Sequence, residues 1–124
     1  MAKVMIVDDA KIIRITIKKQ LEQLGHEVVA SIENGYEAIL EYEKCKPDLV
    51  TMDITMPVVN DIKNGIDALT QIMKIDPEAK VIMITSHGEQ RLVMEAISKG
   101  SKGYILKPIT KDKLENLLLK IGLL

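Results

Sequence analysis

The chain has 124 residues, 47% of them hydrophobic and 28% charged, which suits one domain with a real core and excludes a disordered chain. A formal net charge of −1 offers no basic field to a nucleic-acid backbone or a membrane surface, and no apolar run reaches the length of a membrane span. The lone Cys45 excludes an intramolecular disulfide, suits a reducing cytoplasm, and reads as a small hydrophobe at least half buried. With no Trp, no Phe and three Tyr, the core is expected to be aliphatic.

Met1-Ala2-Lys3 runs straight into Val4-Met5-Ile6-Val7, an apolar run that reads as a buried strand and ends in Asp8-Asp9. No secretory leader is expected ahead of it. Ile13, Ile17, Leu21 and Leu24 follow at helical spacing, and Gly25 is placed to end that helix. His26 reads as a solvated loop residue. Val28-Val29-Ala30 makes a second strand, Asn34-Gly35 a turn or cap signal, and a helix through Ala38, Ile39 and Tyr42 stops at Pro47. Leu49-Val50-Thr51-Met52 is the third strand, ending in Asp53, and Ile66, Leu69, Ile72 and Met73 mark the third helix. Val81-Ile82-Met83-Ile84 is the fourth strand, with Thr85-Ser86 at its carboxyl end. A helix through Val93, Ala96 and Ile97 ends at Gly100, and Tyr104-Ile105-Leu106 forms the fifth strand before Lys107-Pro108. Leu114, Leu117, Leu118 and Ile121 make the inner stripe of a last helix.

Five strand–helix units with continuously apolar strands imply an α/β fold, a parallel sheet covered by helices on both faces. No repeat or linker divides residues 1–124, so one domain is expected. Ligands of such doubly wound sheets bind beyond the carboxyl ends of the strands, and that is where Asp8-Asp9, Asp53, Thr85 and Lys107 fall. Crowded carboxylates repel one another, and a divalent cation is the simplest relief. Mg²⁺ takes oxygen ligands and commonly bridges carboxylates to a phosphoryl group. A carboxylate can also be the nucleophile that becomes an acyl phosphate, with a lysine neutralising the transferred group.

Four pieces in order carry a resemblance: Val7-Asp8-Asp9, then Met52-Asp53-Ile54-Thr55-Met56-Pro57, then Ile84-Thr85-Ser86, and Lys107-Pro108. Across its whole length the chain resembles a CheY-type receiver of two-component signalling. The resemblance implies a flavodoxin-like sheet of order 2-1-3-4-5, the order receivers of this type share. It implies that Asp53 is the phosphoacceptor, Asp9 the direct Mg²⁺ ligand, Asp8 a ligand through water, and the Thr55 backbone carbonyl a further ligand. Thr85 corresponds to a switch hydroxyl, Lys107 to the cation that pairs with the phosphoryl group or Asp53, and Tyr104 to an aromatic that moves with Thr85. The Lys107-Pro108 bond is expected to be cis.

Further implications concern partners. A histidine kinase is the implied phosphodonor, a phosphatase a possible antagonist, and the output surface runs from the fourth helix through the fifth, roughly Glu89 to Leu119. A cytoplasmic monomer without a DNA-binding domain is implied. Thr51 to Pro57 and Ile72 to Pro77 resemble the chemotaxis proteins of the family most, so a flagellar motor target is expected. A phosphorelay intermediate or general regulator is the nearest alternative. An Asp-nucleophile phosphatase is more distant, because it needs a second acid where Thr55 stands. An FMN carrier is disfavoured by two acids at Asp8-Asp9.

The chain departs from the family at three places: Ser86 stands where a small residue, often alanine, is usual, Ile109 follows Lys107-Pro108 where Phe is frequent, and the loop after the third strand is longer. Receivers usually run Met-Pro-x-x-Asn/Asp-Gly, whereas Gly65 here lies eight positions after Pro57, so Asn60 to Lys63 read as an insertion. Val58, Val59 and Ile62 are apolar on a loop that would ordinarily be polar. That loop is expected to shield the phosphoryl group or to touch the donor. His87, two residues past Thr85, reads as a loop residue without a chemical role.

Overall fold

A computed structural model describes residues 1–124. Its elements alternate without exception: β1 (Lys3–Val7), α1 (Lys11–Gln23), β2 (Glu27–Ile32), α2 (Gly35–Cys45), β3 (Leu49–Asp53), α3 (Gly65–Ile75), β4 (Val81–Thr85), α4 (Gln90–Ser98), β5 (Gly103–Leu106) and α5 (Lys111–Lys120). The strands form one parallel sheet in the order β2-β1-β3-β4-β5, as the resemblance implied.

Side chains alternate across a strand, so each strand feeds two cores. Val4, Ile6, Leu49, Ile82, Ile84 and Ile105 face Ile17 and Leu21 of α1 and Leu114 and Leu118 of α5. Met5, Val7, Val50, Met52, Val81 and Met83 face α2, α3 and α4, where Tyr42, Leu69, Ile72 and Ala96 receive them. Two helices on one face and three on the other leave β1, β3 and β4 buried on both sides, which explains their unbroken apolar runs. The second strand, read as Val28–Ala30, extends over Glu27–Ile32 because β1 continues to pair with it through Ile32.

Helix starts are fixed by side chains. Asn34 accepts from the Glu37 amide at 2.8 Å, Asn64 from the Ile66 and Asp67 amides, and Thr110 from the Lys113 amide. The backbone of Lys46 turns left-handed to close α2 ahead of Pro47.

His26 departs from the expectation of a solvated loop residue. It is only 7% exposed, and its Nδ1 accepts the Ala2 amide at 2.8 Å. Pairing of Lys3 with Glu27 brings the two strand entrances side by side and closes solvent off the ring. Burial, together with the chain's amino terminus, lowers its pKa. Cys45 is half buried against the larger core, as expected.

The inserted residues form a closed turn. Val59 and Ile62 exchange both backbone bonds, at 3.2 and 3.0 Å, around Asn60 and Asp61, whose φ values of +47° and +66° match a two-residue hairpin turn. Ile62 packs against the larger core beside Gly35, and the Lys63 amide bonds Asp67 on α3. Packing at the start of α2 thus accounts for an apolar Ile62, while Val58 stays exposed.

Candidate functional site

The chain order turns back between β1 and β3, and a crevice opens at their carboxyl ends. Asp8 follows β1 and Asp53 is the last residue of β3. Carboxylate oxygens of Asp8, Asp9 and Asp53 all lie within 4.8 Å of one another. Asp8 and Asp53 are buried, whereas Asp9 is exposed and keeps the group open to solvent. Asp8 Oδ1 accepts the Ala10 amide at 2.9 Å, and Arg14 donates to the Asp8 carbonyl, so the turn into α1 is held rigidly.

Opposite them, the edge of the sheet delivers Lys107. Its Nζ stands 3.5 Å from Asp8 Oδ2 and 3.5 Å from Asp53 Oδ1. Its amide bonds the Thr85 carbonyl at 2.7 Å, and the following peptide bond to Pro108 is cis, as expected. One ammonium does not balance three carboxylates. Burial first, and then the Asp8 charge, push Asp53 up to about 7 against the pull of Lys107. Burial raises Asp8 as well. Lys107 loses basicity to burial but regains more from Asp53 and Asp8, so its pKa rises.

These residues fit a hard divalent cation. Asp8 Oδ2 is buried without a hydrogen bond, and three anionic oxygens converge where a cation would satisfy it. Thr55 lies just beyond Asp53 with its side chain exposed.

The backbone past Asp53 is tightly constrained. A side chain at Gly65 would collide with the Asp53 carbonyl, and the Gly65 amide bonds the Ile54 carbonyl at 2.7 Å. The start of α3 is therefore pressed onto the end of β3. The insertion leaves that contact intact because Asn60 and Asp61 turn outward between the paired Val59 and Ile62, and Lys63 is tied to α3.

Thr85 ends β4, buried, with its hydroxyl 3.0 Å from Glu89 Oε1. The same oxygen accepts the Ser86 amide, and Glu89 Oε2 accepts the Thr55 hydroxyl. From the sequence, Glu89 stands only at the start of the output surface. A polar residue four places after Thr85, behind Gly88, was the available signal. Gly88 has φ +90°, a conformation that favours glycine, and the loop turns back there toward Thr85. Burial raises the Glu89 pKa, but the bonds from Thr55, Ser86 and Thr85 and the charge of Lys107 outweigh it and hold the carboxyl below its usual value. Tyr104 is 51% exposed, beside a pocket of about 260 Å³ lined by Thr85, Val93, Met94, Ile97 and Leu106. His87 is exposed on the loop and makes no hydrogen bond with the site.

Residues 4–119 match the family described as the response regulator receiver domain. The chain belongs to that family. Among relatives of this receiver, the chemotaxis protein CheY of Thermotoga maritima is 45% identical over 97% of each chain. The chemotaxis protein CheY of Listeria monocytogenes is 49% identical over 91% of this chain and 92% of its own. A crystal structure of a CheX–CheY–BeF3–Mg complex from Borrelia burgdorferi superposes with a TM-score of 0.89 at 32% identity, covering 97% of the receiver and 88% of that chain. No helix of the receiver is long and apolar enough to cross a membrane.

Proposed function

We propose that this receiver takes a phosphoryl group from a histidine kinase onto Asp53 and signals in chemotaxis through a surface reshaped by that event. The observation that carries the reading is the grouping of Asp8, Asp9 and Asp53 within 4.8 Å, with Lys107 Nζ 3.5 Å from two of them.

Asp9 and Asp53, Asp8 through water, and the Thr55 carbonyl would hold Mg²⁺, which supplies positive charge to the phosphoryl oxygens and to the attacking carboxylate. A carboxylate oxygen of Asp53 attacks phosphorus while the bond to the donor breaks and its electron pair leaves with the donor. Lys107 loses its ion pair with Asp53 as that oxygen enters the acyl-phosphate anhydride bond, and its ammonium is then free for the phosphoryl group. The Thr85 hydroxyl and Ser86 amide lie across the crevice as donors for phosphoryl oxygens. Movement of Thr85 toward them enlarges the pocket beside Tyr104, giving the aromatic ring a place to turn inward. The chain then acts on itself alone, a phosphoacceptor rather than a turnover enzyme. The names of its relatives favour chemotaxis over a relay, with a motor-switch target at the α4-β5-α5 face and a cytoplasmic setting.

Acetyl phosphate with Mg²⁺ is expected to add one base-labile phosphoryl group, followed by mass spectrometry. Asp53→Asn keeps the shape, removes the nucleophile, and lowers labelling at least a hundredfold, about 2.7 kcal/mol. Labelling of the variant at the wild-type rate would sink the assignment.

A further inference from the structure

Glu89 stands at the N-cap of α4, immediately before Gln90, where a short polar side chain normally caps the helix amides. It makes no such cap. Its carboxylate turns the other way and gathers three donors from the end of β4 and the loop after β3: the Thr85 hydroxyl at 3.0 Å, the Ser86 amide at 2.6 Å and the Thr55 hydroxyl. An anionic group with two oxygens, held by a hydroxyl and a backbone amide at the end of β4, mimics in charge and geometry part of a phosphoryl group. Two of those donors, Thr85 and Ser86, are the ones the proposed chemistry assigns to phosphoryl oxygens.

We propose that Glu89 is an internal competitor of the phosphoryl group, a latch that occupies its donors in the resting state and must be expelled when Asp53 is phosphorylated. This rests on the reading of Asp53 as phosphoacceptor.

The physical consequences run in both directions along α4. One oxygen, Oε1, cannot share the Thr85 hydroxyl proton with a phosphoryl oxygen, because a hydroxyl donates once. Two anions competing for the same donors beside one lysine also repel each other. Release of Glu89 frees the β4–α4 loop from Thr55, and with it the amino end of the helix whose Met94 and Ile97 are exposed. Glu89 then couples chemistry at Asp53 to the position of α4. A ligand that binds better once the latch is open shifts the population toward the open state by its differential affinity alone. Every phosphoryl group must displace a bound carboxylate, so apparent affinity is the intrinsic affinity multiplied by the fraction of molecules unlatched.

The test uses the intact chain, Mg²⁺ and beryllofluoride, with Glu89→Gln and Glu89→Ala. Amide NMR follows beryllofluoride titration and, separately, hydrogen exchange of the Ser86 amide without any anion. Glu89→Ala is expected to bind beryllofluoride at least fivefold more tightly than wild type, with Ser86 exchange faster by a similar factor. Glu89→Gln, which keeps a carbonyl acceptor, should fall between the two. Equal tightening in both variants with unchanged Ser86 exchange would reduce the effect to removal of a charge and overturn the latch. Unchanged or weaker beryllofluoride binding in Glu89→Ala would overturn it as well. If wild type itself bound no beryllofluoride and Asp53 took no label, the phosphoacceptor reading would fall and the latch with it. A wild type that binds while both variants match it removes the latch alone.

Discussion

At the scale of single residues, the site is a crowd of like charges held short of neutrality. Asp8 and Asp53 are the buried members, and the Asp53 pKa, raised to about 7 from an ordinary 3.8, bears on stability. An acid whose pKa is raised by folding holds its proton more tightly folded than unfolded. Between about pH 4 and pH 7 the folded state carries the extra proton, so stability falls as pH rises through that window. Urea unfolding in EDTA is therefore expected to show a lower midpoint at pH 8 than at pH 5.5. Asp53→Asn should flatten that slope and stabilise the chain at pH 8 by about 1–3 kcal/mol, since a tenfold change in proton affinity corresponds to about 1.4 kcal/mol and solvent screening reduces the total. A midpoint that rises between pH 5.5 and pH 8 would show that Lys107 overcompensates the carboxylates. Lys107 is also placed so that no other side chain replaces it: its Nζ alone forms ion pairs with Asp8 and Asp53.

At the scale of elements, the site depends on how α3 starts. Asn64 caps it, Gly65 touches the Asp53 backbone, and the hairpin turn of Asn60 and Asp61 absorbs the extra length upstream. Gly65→Ala places a methyl group into the Asp53 carbonyl, a backbone atom that has nowhere to go while β3 pairs with β1 and β4. The substitution is expected to cost more than about 2 kcal/mol in urea unfolding, a loss of the size that named steric faults produce. It should also displace Asp53 enough to weaken Mg²⁺ binding, read by calorimetry. Wild-type stability in Gly65→Ala would mean that the loop relaxes and that α3 is not seated on β3. Ile62, by contrast, belongs to the packing beside Gly35, so the insertion is anchored at both ends and leaves only Val58 as an exposed apolar residue of the loop.

At the scale of the whole molecule, two cores share one sheet, and stability should follow burial rather than helix membership. Ile72 is fully buried under the larger core, whereas Leu119 on α5 is 55% exposed. Ile72→Ala is expected to cost about 2–5 kcal/mol and Leu119→Ala about 0.5 kcal/mol or less. Circular dichroism and a near-ultraviolet tyrosine signal should lose structure together in each case, as two-state unfolding requires. Similar losses for both would mean that the face of α5 bearing Leu119 is covered in solution.

The alternation of apolar runs with helical periods was enough, by itself, to fix five strand–helix units and the edge of the sheet where Asp8, Asp9, Asp53, Thr85 and Lys107 meet. Those signals are local: a strand buried on both faces must be apolar throughout, and a ligand edge must be polar at each strand end. The order of strands came from likeness to a family, since right-handed crossovers leave more than one order open. His26, Ile62 and Glu89 were decided only by tertiary structure. His26 is buried because two strand entrances pair, a contact made across 24 residues. Ile62 is apolar because the start of α2 lies beside a turn that sequence places far from it. Glu89 reads as one more surface acid until Gly88 turns the loop back and its carboxylate meets donors from β4 and from the loop after β3. Periodicity reports which face of an element is apolar; which distant polar group a side chain reaches depends on three-dimensional closure, and no local pattern encodes it.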